Sequence, residues 1–100
     1  PKTIDNDLCM TDHTPGFGSA ARYVASTVRE ITIDANVYEK KSVTIIEIMG
    51  RHAGWLTAAS ALARKYTGDN PLLIYLPETA FDQEEKSCDQ KNNCQRHGTC

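Results

Sequence analysis

No apolar run in this sequence approaches the ~20 residues that a membrane helix needs, and no secretory leader pattern is recognisable. Neither sign of charge dominates. A net charge of -2 and a pI near 5.9 provide no general attraction to nucleic acid or to an anionic membrane surface. Cysteine is sparse and uneven, with Cys9 alone and Cys88, Cys94 and Cys100 crowded at the far end. A disulfide framework needs an oxidising, secreted context, which nothing in the composition indicates, so reduced thiols in a soluble cytoplasmic protein are expected. Cys88, Cys94, Cys100 and His97 could supply a Cys₃His set, but spacings of six are unlike the close cysteine pairs of zinc sites. The phosphate-cradling G-x-x-x-x-G-K-[ST] pattern is missing too. Gln83 to Cys100 contains no aliphatic or aromatic residue. Such a stretch cannot bury enough apolar surface to offset its ordering entropy, so residues 83–100 are expected to form a disordered polar tail. No repeat or linker divides the rest. Pro1 opens directly on a chemically loaded loop with no strand before it, which suggests a truncated chain.

What is present is periodic. In this 100-residue chain, 40% hydrophobic, Phe17, Ala20, Ala21, Val24, Val28, Ile31, Ala35 and Tyr38 step by three or four. They predict an amphipathic helix over 17–39, entered through Pro15-Gly16. Val43-Thr44-Ile45-Ile46-Glu47-Ile48-Met49 is a β-branched run suited to a strand buried on both faces of a parallel sheet. Trp55, Ala58, Ala59, Leu62 and Tyr66 restore the helical period, which Gly68-Asp69-Asn70-Pro71 stops. Leu72 to Leu76 reads as a second buried strand, closed by Pro77-Glu78. The order loop, helix, strand, helix, strand predicts an α/β fold with a layered parallel sheet, Rossmann-like in kind. Ligands of such sheets bind beyond the carboxyl ends of the strands. Both loops rich in functional groups, 1–16 and 49–54, would lie at that edge if a strand precedes Pro1.

The first of these loops holds Lys2-Thr3-Ile4-Asp5-Asn6-Asp7. Two carboxylates at i and i+2 beside a cation and a hydroxyl suit phosphoryl transfer. One can accept the proton of an attacking hydroxyl, the other can orient a magnesium ion, and the cation offsets charge on the moving group. By spacing alone an Asx-rich turn is the commoner reading. The second is Met49-Gly50-Arg51-His52-Ala53-Gly54, between strand and helix. Glycine there admits close backbone approach to a ligand, and Arg51 can fork onto a phosphate or sugar oxygen. An ordinary strand-to-helix turn with a surface arginine remains open. His13 and His52 show no ligand-like spacing and read as polar loop or helix-start residues. Glu47 reads as a paired or edge-exposed carboxylate, and Trp55 as helix packing.

Taken in order, Pro1-Lys2-Thr3-Ile4-Asp5-Asn6-Asp7-Leu8, Thr14-Pro15-Gly16-Phe17-Gly18 and Ile48-Met49-Gly50-Arg51-His52-Ala53-Gly54-Trp55 resemble the phosphofructokinase family. The Pro-Lys-Thr-Ile-Asp-Asn-Asp form is similar to its pyrophosphate-using branch. The resemblance covers residues 1–82, part of a full subunit. It implies a partial phosphofructokinase fold and phosphoryl transfer from pyrophosphate, or ATP, to the 1-hydroxyl of fructose 6-phosphate. It also implies magnesium as cofactor and a homo-oligomeric enzyme of glycolysis. Asp5 matches the general base. Thr3, Ile4 and Asp5 match the substrate-contacting segment, and Asp7 a supporting carboxylate near the metal. Lys2 matches the lysine that stabilises the transition state when pyrophosphate is donor, where ATP users typically have Gly. Met49, Gly50 and Arg51 match the sugar-phosphate segment. The family's Gly-Gly-Asp donor loop and its later Glu, His and Arg of the sugar site have no counterpart in this chain. The position seven before Met49, an Arg in many members, is Ser42, so either Lys41 substitutes for that arginine or its role goes unfilled. The alternative is a catalytically inactive fragment with a structural or interaction role, and the chain by itself is expected to be inactive.

Overall fold

The computed structural model of the chain describes residues 2–40, 42–65 and 73–81. Its longest element is helix α1, Phe17–Ala35. Gly16 caps it with φ 92°, a left-handed conformation open to glycine and strained for other residues. No side chain caps this end. Instead the Phe17 N–H donates to the Thr14 carbonyl at 3.1 Å, and the Ala20 N–H to the Gly16 carbonyl at 3.1 Å.

The helix stops four residues short of the expected 39. Its last turns are dense in weak helix formers: Ile31, Thr32 and Ile33 are β-branched, and Asn36 and Val37 follow. The Thr32 hydroxyl bonds back to the Val28 carbonyl at 2.8 Å, an interaction that loosens the turn it serves. The Asn36 N–H is shared between the Thr32 and Ile33 carbonyls at 3.2 Å each, the bifurcated pattern of a fraying end.

Helix α2 is short, Trp55–Ala59, and tightens into a 3₁₀ turn over Ser60–Ala63 rather than continuing as a regular helix. Ser60 explains the change. Its hydroxyl donates to the Thr57 carbonyl at 2.6 Å and so competes for backbone acceptors. Arg64 then turns to an extended conformation with ψ 118°. α1 packs against both α2 and the 3₁₀ turn, and the buried apolar residues Val28, Leu56 and Ala63 come one from each. Complete burial of a Val or Leu side chain contributes about 1.5–3 kcal/mol, so these side chains hold the helices together.

The two predicted strands are not seen as such. No described residue is assigned to a strand, and no described backbone hydrogen bond joins 43–49 to 73–76. The burial expected of the first run is also not met: Val43 and Ile45 are 87% and 90% exposed. The physical reason is that a strand is a pairing. A β-branched run states a preference, but only a ladder partner satisfies its backbone and covers its faces. At the end of the second run, the Thr79 N–H closes a turn onto the Leu76 carbonyl at 3.2 Å. Tyr75 and Phe81 meet edge to face across that turn, ring centroids 5.5 Å apart. Tyr66, the Gly68–Pro71 stop, Leu72 and the predicted tail 83–100 with its cysteines lie outside the described residues.

Among the described residues, no helix is long and apolar enough to cross a membrane.

Candidate functional site

The acidic loop folds back on itself. Asn6 adopts φ 58°, a left-handed conformation that Asn tolerates better than most residues, and this sharp turn lies between Asp5 and Asp7. The Asn6 side chain is buried and bonded at both ends. Its Oδ1 accepts the Thr14 N–H at 2.8 Å, and its Nδ2 donates to the Asp12 carbonyl at 3.1 Å. The Thr14 hydroxyl donates to the Thr3 carbonyl and lies 3.3 Å from Asn6 Oδ1. Thr3 Oγ1 in turn accepts the Asp5 N–H at 3.2 Å. A β-carbon placed on Gly16 would stand 3.3 Å from Ile4 Cγ2 and 4.0 Å from Lys2 Cε, so both side chains run alongside the capping glycine of α1. The structure thus joins two sequence blocks, 2–7 and 14–16, into one patch at the start of α1.

Asp5 is half-buried, and its Oδ1 is fully buried with no hydrogen-bond partner among the described residues. Leaving such an acceptor unpaired costs about 1–3 kcal/mol, so its place calls for an explanation, of which a catalytic role is one. Asp7 and Lys2 are exposed. Among the described residues no three His, Cys, Asp or Glu side chains converge as a metal cage. Asp5 and Asp7 are two carboxylates two positions apart in this loop, fewer than a complete metal cage made of protein side chains alone. Magnesium is commonly bound in this way, through one or two carboxylates plus phosphate oxygens and water.

The second loop is bounded by two glycines, each for a different reason. Gly50 has φ 144°, and a β-carbon there would lie 2.5 Å from the Ala53 carbonyl oxygen. Gly54 has φ -90°, open to any residue; what it lacks is space. A β-carbon on Gly54 would lie 2.7 Å from Glu78 Oε2 and 2.9 Å from both Leu76 Cδ2 and Pro77 Cδ. Its N–H donates to Glu78 Oε1 at 2.6 Å. Glu78 is the residue that sequence reasoning missed, because 24 positions separate it from its partner. The one signal was its place just after a predicted strand. Arg51 and Met49 are exposed, and Arg51 makes no hydrogen bond among the described residues. Each loop leads into one of two packed helices, but no described hydrogen bond joins 2–7 to 49–54. His13 stacks on Phe17 with ring centroids 6.2 Å apart, a local role like the one expected of it.

The crowding at Gly54 carries a prediction. In the full-length protein, Gly54→Ala is expected to lower stability by about 1–3 kcal/mol, the usual range for overpacking, with a fall in Tm of a few degrees in thermal unfolding. An unchanged Tm would mean that Glu78 and the 76–77 segment do not hold this loop.

Comparison with known proteins places these features. The phosphofructokinase signature matches residues 1–99, continuing past residue 82, where the resemblance read from motifs ends. A pyrophosphate–fructose 6-phosphate 1-phosphotransferase of Rhodospirillum rubrum is 52% identical over 100 residues, covering all of this chain and 24% of that protein. An ATP-dependent 6-phosphofructokinase of Mycobacterium leprae is 40% identical over 96 residues, covering 96% of this chain and 26% of that protein. A crystal structure of a pyrophosphate-dependent phosphofructokinase from Marinobacter aquaeolei superposes with a TM-score of 0.85 at 41% identity, over all of this chain and 26% of that one. The fold is therefore consistent with that of phosphofructokinases, although the parallel sheet is not seen among the described residues. The chain spans about a quarter of the length of these relatives and, matched along nearly all of its own, belongs to the phosphofructokinase family.

Proposed function

We propose that this chain is the sugar-binding and proton-accepting segment of an enzyme that transfers a phosphoryl group from pyrophosphate to the 1-hydroxyl of fructose 6-phosphate. The observation that carries this is Asp5: one oxygen of its carboxylate is buried with no hydrogen-bond partner among the described residues, in a loop folded around it, so no described protein donor competes with a substrate donor for this group. A sugar hydroxyl is such a donor. Asp5 takes the proton as the hydroxyl oxygen bonds to the terminal phosphorus of pyrophosphate. The bridging P–O bond breaks, and its electron pair leaves with orthophosphate. The products are fructose 1,6-bisphosphate, orthophosphate and the proton held on Asp5.

Thr3 and Ile4 border the substrate beside Asp5. Lys2 supplies positive charge to the phosphoryl group in transfer. Met49, Gly50 and Arg51 hold the sugar phosphate: the arginine has no competing partner among the described residues, and the glycine admits close backbone approach. Magnesium, when bound, would neutralise phosphate charge, with Asp7 as the carboxylate this segment offers. A cytoplasmic homo-oligomer acting in glycolysis is part of the same proposal.

The test is a steady-state assay of the full-length protein with fructose 6-phosphate and each donor. Absence of phosphoryl transfer to the sugar from either donor would overturn the assignment. Within that assay, Arg51→Ala is expected to raise KM for fructose 6-phosphate by about ten- to one-hundred-fold, as removal of a charge-assisted hydrogen bond of ~1.5–3 kcal/mol requires. A rise in donor KM with sugar KM unchanged would assign Arg51 to the other substrate.

A further inference from the structure

We propose that Asn6 and Thr14 form a clamp that positions Asp5, an inference that rests on the assignment of Asp5 as base. Asp5 sits between Thr3 and Asn6, and one residue grips both of these. Thr14, only 3% exposed, donates its hydroxyl proton to the Thr3 carbonyl and its backbone N–H to Asn6 Oδ1 at 2.8 Å. Asn6, 7% exposed, adds the bond from Nδ2 to the Asp12 carbonyl. The backbone is thereby anchored two residues before Asp5 and one residue after it, from a point eight to eleven positions along the chain.

The need for such a grip follows from Asp5 itself. Its buried oxygen has no hydrogen-bond partner among the described residues, so its desolvation cost favours a swing of Asp5 out into water. A loop free to move would make that change and take the acceptor away from its working place. Anchors on both sides oppose it, and the left-handed turn at Asn6 sets the direction in which the chain leaves Asp5. Neither clamp residue need touch substrate. Both act through Asp5.

The experiment is a double-mutant cycle in the full-length enzyme, read as kcat, KM for fructose 6-phosphate and Tm. Thr14→Val keeps the β-branched shape and removes the hydroxyl donor. It is expected to lower kcat by about 10–100-fold, the scale of a small misplacement of a catalytic group, with sugar KM changed less than about two-fold. Thr14→Ser restores the donor and is expected to recover most of the activity. Asn6→Gly keeps access to positive φ while removing both side-chain bonds, and carries the same expectation should Thr14→Val fail to fold. In an Asp5→Asn background, either clamp mutation is expected to have almost no further effect on kcat, because groups acting as a unit are not additive. Failure of the base assignment and failure of the clamp are separable. If Asp5→Asn alone leaves kcat largely intact, the base is misassigned and the clamp falls with it. If Asp5→Asn abolishes turnover but the clamp mutations cost the same factor in both backgrounds, or lower Tm with kcat unchanged, Asn6 and Thr14 serve the fold and the clamp is refuted.

Discussion

Replacing Asp5 with Asn in the full-length enzyme is expected to lower kcat by about 10²–10⁴-fold, the usual contribution of a positioned general base, with little change in affinity for fructose 6-phosphate. Asparagine has nearly the shape of aspartate and can occupy the same half-buried place beside Asn6. It still offers an oxygen to a sugar hydroxyl, so binding survives. It cannot take the proton, so the hydroxyl must attack phosphorus undeprotonated. The buried Oδ1 makes the contrast sharp: among the described residues it has no hydrogen-bond donor, so none there compensates for loss of the carboxylate charge. Steady-state kinetics with matched circular dichroism and Tm measurements separate a defect in chemistry from a defect in folding. A variant retaining more than about half its kcat would exclude Asp5 from proton transfer.

Lys2→Gly is expected to cut pyrophosphate-dependent kcat by about 10²-fold or more, as removal of one preorganised charge from a phosphoryl-transfer site does. Pyrophosphate has no adenosine to bind, so its recognition must come from neutralising a compact polyanion. An ammonium one residue before Thr3, on a stem that passes alongside Gly16, belongs to the same loop as Asp5, the proposed base. It can follow the phosphoryl group through the loose transition state. Overall similarity does not decide the donor, since a relative named for ATP is 40% identical and one named for pyrophosphate 52%. The proposed role of Lys2, drawn from the resemblance, is what favours pyrophosphate in this reading. Rates with each donor at matched magnesium decide the matter. Should the unmutated enzyme use ATP at least as efficiently as pyrophosphate, the donor assignment is wrong.

The candidate site could be proposed from sequence because its residues are close together in the chain. Lys2, Thr3, Asp5 and Asp7 fall within six consecutive residues, and Met49, Gly50 and Arg51 are contiguous. Their types are compatible with a base, a cation and an anion-binding loop without reference to anything distant, and the resemblance selected that reading over ordinary turns. The start of α1 was legible for the same reason: Pro15-Gly16 and the three-to-four spacing of apolar residues act within a few turns of chain. Its end was less so. The last β-branched turn and the shared Asn36 N–H trade small, nearly equal preferences, and apolar spacing continued to Tyr38 although the helix did not.

Residue type and short-range periodicity thus single out the candidate side chains and the point where the principal helix begins, while the resemblance to the family rests on the order of the motif blocks. The folded chain adds what no short stretch contains. Thr14 reaches across eleven positions to the Thr3 carbonyl, and Glu78 across twenty-four to the Gly54 N–H. A hydrogen bond between distant residues exists only once the chain has folded to bring them within about 3 Å, and no local preference encodes that meeting. The same reason governs the β-branched runs. Val43 and Ile45 state a preference for a strand, but pairing and burial come from a neighbour, and in this chain both side chains remain exposed.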